Sequence, residues 1–112
     1  YINRLNKGIP LQADPTVVFA TGNFDIRRVL NRHISLDSPY NTYKYQGLPP
    51  GPICMPDIST IDAVLNYEDH QYIYFCAVPD KPGAHAFAKT LTQHNRNANA
   101  YRRWLNEQRI YK

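Results

Sequence analysis

Tyr72-Ile73-Tyr74-Phe75-Cys76-Ala77-Val78, followed by Pro79-Asp80-Lys81-Pro82-Gly83-Ala84 and then His85-Ala86-Phe87-Ala88-Lys89, sets the architecture of this chain. The first seven residues are apolar on both faces and rich in aromatic and β-branched side chains. That pattern predicts a strand covered on both sides, a central strand. The next six hold two prolines and a glycine, the residues that bend a backbone most readily. A second short strand follows, so the whole reads as a β-hairpin. A helix is predicted to start near Thr90, with Gln93 placed for a capping box. Leu91, His94, Ala98, Tyr101 and Leu105 then recur at three- and four-residue steps along one stripe. Hairpin and last helix together are the predicted core, with Phe75 inside it.

Upstream of the hairpin the elements are short. Residues 1–7 read as the last turns of a helix closed by Gly8 and Pro10. Pro15 to Ala20 suit a helix with Asp14 as N-cap and Pro15 at the favoured first position, ended by Gly22. A further short helix is expected at 26–32. Residues 40–46 alternate as a strand would. Gly47-Leu48-Pro49-Pro50-Gly51-Pro52 must be a stiff extended loop, because proline locks φ and lacks a donor. Residues 59–67 read as a helix, with Ser59 and Asp62 as a capping-box variant and Ile61, Val64 and Leu65 on one face. Strands and helices are partly segregated. The predicted class is therefore α+β: a small β-hairpin core packed by short helices and a longer C-terminal helix, with residues 1–112 as one domain.

The 112 residues are 43% hydrophobic and 20% charged, a globular composition. A net charge of +4 favours anionic partners without choosing among nucleic acid, acidic lipid and a carboxylate-bearing polymer. No apolar run approaches the roughly 20 residues that cross a bilayer. Cys54 and Cys76 are too few for a disulfide framework or a four-ligand zinc site, and Cys76 lies in the apolar strand as a buried thiol would. His85 and His94 have no patterned carboxylate near them, so no metal site is expected. Tyr1-Ile2-Asn3-Arg4-Leu5 reads as the interior of a longer protein.

Three polar-rich segments exceed what packing requires: Leu11-Gln12-Ala13-Asp14-Pro15-Thr16, Asp37-Ser38-Pro39-Tyr40-Asn41-Thr42-Tyr43 and Gly47-Leu48-Pro49-Pro50-Gly51-Pro52-Ile53. Stiff loops hold side chains in fixed places, which a binding cleft needs. With Asn3-Arg4-Leu5, Gly83-Ala84-His85-Ala86-Phe87 and His94-Asn95, these segments resemble, in order, the motifs of the MltG (YceG-like) endolytic murein transglycosylase family. The resemblance covers about residues 1–97, on the C-terminal part of that family's catalytic domain.

What the resemblance implies is a membrane-anchored enzyme of the bacterial inner membrane, working on its periplasmic or extracytoplasmic face. Such an enzyme cuts the β-1,4 bond between N-acetylmuramic acid and N-acetylglucosamine, with the muramyl C6 hydroxyl attacking in place of water. Its partners would be peptidoglycan glycan strands and cell-wall synthesis proteins, with no nucleic acid, no cofactor, and a membrane segment outside this chain. The family's one glutamate acts as acid and then as base, whereas hydrolases need two carboxylates. Its position falls before Tyr1. Glu68 and Glu107 lie outside every motif, so no catalytic residue is assigned here and the isolated chain is expected to be inactive.

The candidate substrate-binding residues are Gln12, Asp14, Thr16, Ser38, Tyr40, Asn41, Tyr43 and His85. Gln12 can bond a sugar acetamide, orient the glutamate or pin a turn. Asp14 and Ser38 equally suit a helix start and a turn, and His94 suits a satisfied core position. Gln12, Tyr40 and Asn41 are expected on one concave surface rimmed by the 47–53 loop. Two other readings stand beside this one. A small, basic, tyrosine-rich chain can be a non-catalytic module binding glycan or single-stranded nucleic acid, although its basic residues do not interleave with aromatics. Aminodeoxychorismate lyase chemistry would need a pyridoxal phosphate lysine and a phosphate cup, and no glycine-rich phosphate loop is present.

Overall fold

The computed structural model describes residues 1–110. Its elements run α1 (Ile2–Lys7), α2 (Asp14–Thr21), α3 (Asn31–Ile34), α4 (Ile58–Leu65), β1 (Tyr74–Ala77), β2 (His85–Ala88) and α5 (Leu91–Glu107). The class is α+β, a two-stranded antiparallel sheet with helices around it.

The hairpin forms where the sequence places it, with Phe75 opposite Phe87 and Cys76 opposite Ala86. Side chains therefore alternate between two faces. Tyr74, Cys76, Ala86 and Ala88 face α5, which packs on both strands. Tyr74 stacks on His94 at 5.0 Å, and Ala88, Ala98 and Leu105 are buried. Phe75, Ala77, His85 and Phe87 share the opposite face, where Phe87 remains 52% exposed. β1 is thus not a central strand: among the described residues it pairs with β2 alone. Just before β1, side chains replace a third strand. Asn3 Nδ2 donates to the Tyr72 carbonyl at 2.8 Å, and Arg4 Nε donates to the Ile73 carbonyl. Phe75 is half-buried rather than a core residue. The rest of the core comes from Leu11, Ala13 and Val17.

Gly8 and Gly22 end α1 and α2 in the left-handed conformation, at φ 69° and 70°, which only glycine adopts without cost. Thr90 caps α5 as expected by accepting from the Gln93 N–H. The reciprocal arm of the box is absent: Gln93 Oε1 accepts from Arg96 rather than from the Thr90 N–H, and Gln93 Nε2 donates to Asn97.

Four local expectations give way. Ala13, not Asp14, is the N-cap of α2, because the Asp14 carboxylate accepts the Tyr43 hydroxyl rather than a backbone N–H. The helix expected at 26–32 forms later, at Asn31–Ile34, where the His33 imidazole accepts the Leu30 N–H. Residues 40–46 are turns, since Asn41 folds the chain onto itself: its carbonyl accepts from the N–H groups of both Lys44 and Tyr45. α4 starts after Asp57 with Ser59 inside it. Its Ile61, Val64 and Leu65 share a face, but that face is exposed.

The contact between α5 and the sheet carries a pH signature. His94 lies against Tyr74 with Nδ1 buried and without a hydrogen-bond partner among the described residues. Burial, then the charges of Arg4 and Arg102, lower its pKa below the usual 6.5. The unfolded chain therefore binds more protons than the folded one just below that value. Stability should fall as pH drops through the imidazole range and level off below the folded pKa. Melting curves from about pH 7 to about pH 5 should show this decline. His94→Phe, which keeps a ring against Tyr74, should flatten it. Equal slopes in both proteins would contradict the assignment.

Candidate functional site

Two neighbouring surfaces hold the polar and aromatic groups the sequence singles out. The first is built by the 11–16 and 38–43 segments. Thr42 Oγ1 accepts from Ala13 N at 2.9 Å and lies 2.8 Å from Thr16 Oγ1, while the Thr16 hydroxyl donates to the Ala13 carbonyl at 2.6 Å. One arrangement satisfies all three: Thr42 donates to Thr16, which donates onward. Thr16 and Thr42 are buried, so this network fixes the two segments against each other and offers nothing to a ligand. Asn41 is wholly buried too. Its Nδ2 donates to the carbonyls of Ile34 and Leu36 at 2.9 and 2.7 Å, and its Oδ1 accepts from Tyr43 N at 3.0 Å.

Other candidates stay nearer the surface. Gln12 is exposed and adopts φ 50°, a left-handed backbone uncommon outside glycine. Its N–H is held by the Thr42 carbonyl at 3.2 Å. Ser38 Oγ accepts from Tyr40 N at 3.2 Å, a turn contact. The Tyr40 ring tilts against Phe19 at 4.9 Å. A Cβ at Gly51 would come 3.2 Å from the Tyr40 hydroxyl, so the glycine lets the proline-rich loop pass this ring. The 47–53 loop therefore does border Tyr40. The concave surface expected to unite Gln12, Tyr40 and Asn41 does not form, because Asn41 is turned inward to hold the chain reversal.

Tyr43 donates its hydroxyl to Asp14 Oδ1 at 2.5 Å. Asp14 is exposed by area, yet protein atoms crowd its carboxyl; that desolvation raises its pKa, and the Tyr43 hydrogen bond acts the other way. Burial first, then the charge and hydrogen bond of Asp14, push the Tyr43 hydroxyl well above the ordinary tyrosine range. Tyr43 is thus a permanent donor. The Tyr1 hydroxyl is raised by burial and next by Asp14's charge, so Tyr1 joins this surface to the second.

The second surface is a groove of about 270 Å3 lined by Tyr1, Arg4, His70, Tyr72, Ile73, Tyr74, Phe75, His85 and Phe87. Of the eight candidates only His85 lines it. The ring of Phe75 is the hub, 5.1 Å from Tyr1, 5.1 Å from His85 and 5.9 Å from Phe87. Sequence reasoning took 72–78 as covered on both faces and so missed Tyr72 and Phe75. For Phe75 the available signal was the hairpin register, which puts it with Phe87 and His85 on one face opposite the helix; Tyr72 lies before β1 and has no such signal. Among the described residues no group of three or more His, Cys, Asp or Glu could hold a metal.

This arrangement of a hairpin, a long last helix and loop-borne polar segments has a close counterpart of solved structure. The crystal structure of a yceG-like protein from Listeria monocytogenes superposes with a TM-score of 0.76 at 43% identity, over 85% of this chain and 29% of that one. The YceG-like family model matches residues 1–100, and the chain belongs to that family. It is 45% identical over 101 residues to the endolytic murein transglycosylase of Bacillus subtilis (strain 168), covering 90% of this chain and 27% of the relative. To the endolytic murein transglycosylase of Streptococcus pneumoniae (strain D39) it is 33% identical, over 87% of this chain and 18% of that protein. The chain thus spans about a quarter or less of the curated relatives it matches.

Proposed function

We propose that this chain is the C-terminal part of the catalytic domain of an endolytic murein transglycosylase and forms part of its glycan-binding surface. The observation that carries the reading is the 45% identity to the Bacillus subtilis relative across 90% of the chain, beside a family match over residues 1–100 that takes in the segments building both surfaces. In the proposed reaction a carboxyl group protonates the leaving N-acetylglucosamine O4 as the bond to the muramyl anomeric carbon breaks. The muramyl O6 bonds to that carbon and gives its proton to the same carboxylate, leaving a 1,6-anhydro end. The acid/base carboxyl belongs outside residues 1–112. A general acid working near neutrality needs desolvation to keep its proton, and Glu68 and Glu107 are both exposed. The Asp14 charge reaches Tyr1 at the groove, but its carboxylate is committed to accepting from Tyr43. Murein is outside the inner membrane, so this reading puts the chain on the extracytoplasmic face, in reach of cell-wall synthesis proteins.

A chimera tests it. In the Bacillus subtilis relative, the matching 101 residues are replaced by those of this chain. The chimera should release 1,6-anhydro-muramyl products from murein, detected by mass spectrometry. The isolated 112-residue chain should release none, since loss of general acid–base catalysis alone costs roughly 10²–10⁴-fold. A folded but inactive chimera would overturn the reading. Products from the isolated chain would move the acid/base group inside it.

A further inference from the structure

We propose that the aromatic groove is a subsite for a carboxylate-bearing N-acetylhexosamine of the glycan strand. That chemistry occurs in the lactyl carboxylate of a bare muramyl residue and in the carboxylates of a muramyl peptide stem. The inference rests on the murein reading above and adds a place and a charge to it.

The groove's floor suits a pyranose ring. Rings run continuously from His70 to Tyr72 at 5.2 Å, Tyr72 to Phe87 at 5.7 Å, Phe87 to Phe75 at 5.9 Å and Phe75 to Tyr1 at 5.1 Å. Three of them present free area, with Tyr1 and Phe87 52% exposed and Tyr72 39%. A pyranose has an apolar C–H face and polar edges, which matches an aromatic floor with imidazole and phenol groups at its margin. Apolar rings left in water on the open side of a sheet are otherwise a liability.

The charge comes from Arg4. Among the nine described residues that line the groove it is the one permanent cation, and none of these is acidic. It is 7% exposed. Its Nε donates to the Ile73 carbonyl, one terminal nitrogen donates to the Pro10 carbonyl, and the guanidinium lies 4.9 Å from the Tyr74 ring centre. All three partners are neutral, so they hold the cation in place without cancelling its charge. A buried, fixed positive charge under a groove with low-dielectric walls attracts an anion more strongly than a solvated surface lysine would. A neutral sugar would gain nothing from that charge. A nucleic-acid strand would need a basic track along its backbone, whereas this groove offers one cation beneath one ring-sized space.

The test is a titration of the 112-residue chain, its Tyr1 α-amine acetylated so that charge selectivity reports on Arg4. Aromatic resonances of Tyr72 and Phe87 are followed by NMR against four ligands. These are N-acetylglucosaminyl-N-acetylmuramic acid with a free lactyl group, the same disaccharide bearing its peptide stem, chitobiose, and a short oligothymidylate. A muramyl ligand should shift these rings and bind about tenfold more tightly than chitobiose at low salt. The gap should close toward ~1 M salt. Which muramyl ligand binds better identifies the source of the carboxylate, and either supports the proposal. Phe87→Ala should weaken binding about five- to tenfold at unchanged circular dichroism and melting.

Equal affinity for chitobiose at low salt overturns the carboxylate preference. Tighter binding of the oligothymidylate overturns the ligand class. Shifts confined to residues 11–16 or 47–53 overturn the placement. If the chimera is active and Phe87→Ala leaves its KM for glycan unchanged, the groove proposal fails while the transglycosylase reading stands.

Discussion

Asn41→Ala should lower the melting temperature by roughly 10–15 °C, the shift expected for about 3 kcal/mol in a chain of this size. Asn41 has no exposed surface. It supplies two donors to the carbonyls of Ile34 and Leu36 and one acceptor to Tyr43 N–H. Alanine removes all three bonds and leaves three part-buried backbone groups without these partners, at about 1–3 kcal/mol for each group left unsatisfied. Asn41→Asp should be no better. It keeps the acceptor toward Tyr43 but aims a second carboxylate oxygen at two carbonyls that require donors. Thermal melts followed by circular dichroism decide the matter. A residue that only touched substrate would do the reverse, losing turnover in a full enzyme at unchanged melting. A shift under about 3 °C in Asn41→Ala would sink the structural assignment.

Asn41 also shows where the sequence could and could not be read. The alternation of residues 40–46 is real, but alternation describes a strand only if the backbone has no better local partner. Asn41 offers one, through a side chain that bonds its own backbone two residues on and a carbonyl that closes a turn. Asp14 failed as an N-cap for a related reason: Tyr43, 29 positions away, claims its carboxylate. Contacts of that range have no periodic trace. Features fixed by local chemistry were legible. Gly8, Gly22 and Thr90 end or start helices where their conformations and hydroxyl dictate. The hairpin followed from an aromatic, β-branched run, a proline-glycine turn and a second strand.

The candidate site was legible in its motifs and not in its geometry. The loop segments stood out by composition, but their polar groups turn out to bond mainly one another. The register of β1 and β2 brings Phe75, His85 and Phe87 onto one face, and Tyr1, His70 and Tyr72 complete the groove from outside the two strands, each reading as ordinary in the sequence. The face that Ile61, Val64 and Leu65 share on α4 was read from the right residues, and it is exposed. Periodicity marks which side chains share a face and says nothing about whether that face is covered.

Arg4→Ala should cost about 2–3 kcal/mol, with Arg4→Lys recovering less than half of the loss. Arg4 and Asn3 are the side chains by which α1 meets the segment leading into the hairpin, and Arg4 makes the more buried contact. One edge of its guanidinium takes the Ile73 carbonyl, another nitrogen takes the Pro10 carbonyl, and its face covers Tyr74. Hydrogen bonds from a charged donor contribute about 1.5–3 kcal/mol each. Removing the arginine also relieves the cost of burying an uncompensated cation, so the net loss is smaller than the sum of two bonds and a cation–π contact. A lysine ammonium can reach one carbonyl but cannot span two in a plane while lying flat on a ring. Loss of Arg4 should loosen the first helix before the sheet, because α5 still covers the other face of β1. Amide exchange reads this directly: protection in residues 2–9 should collapse in Arg4→Ala while Cys76, Ala86 and Ala98 stay protected. If Arg4→Lys melts with the parent, the fork geometry is irrelevant and a point charge suffices. If residues 2–9 keep their protection in Arg4→Ala, α1 is held by something other than Arg4.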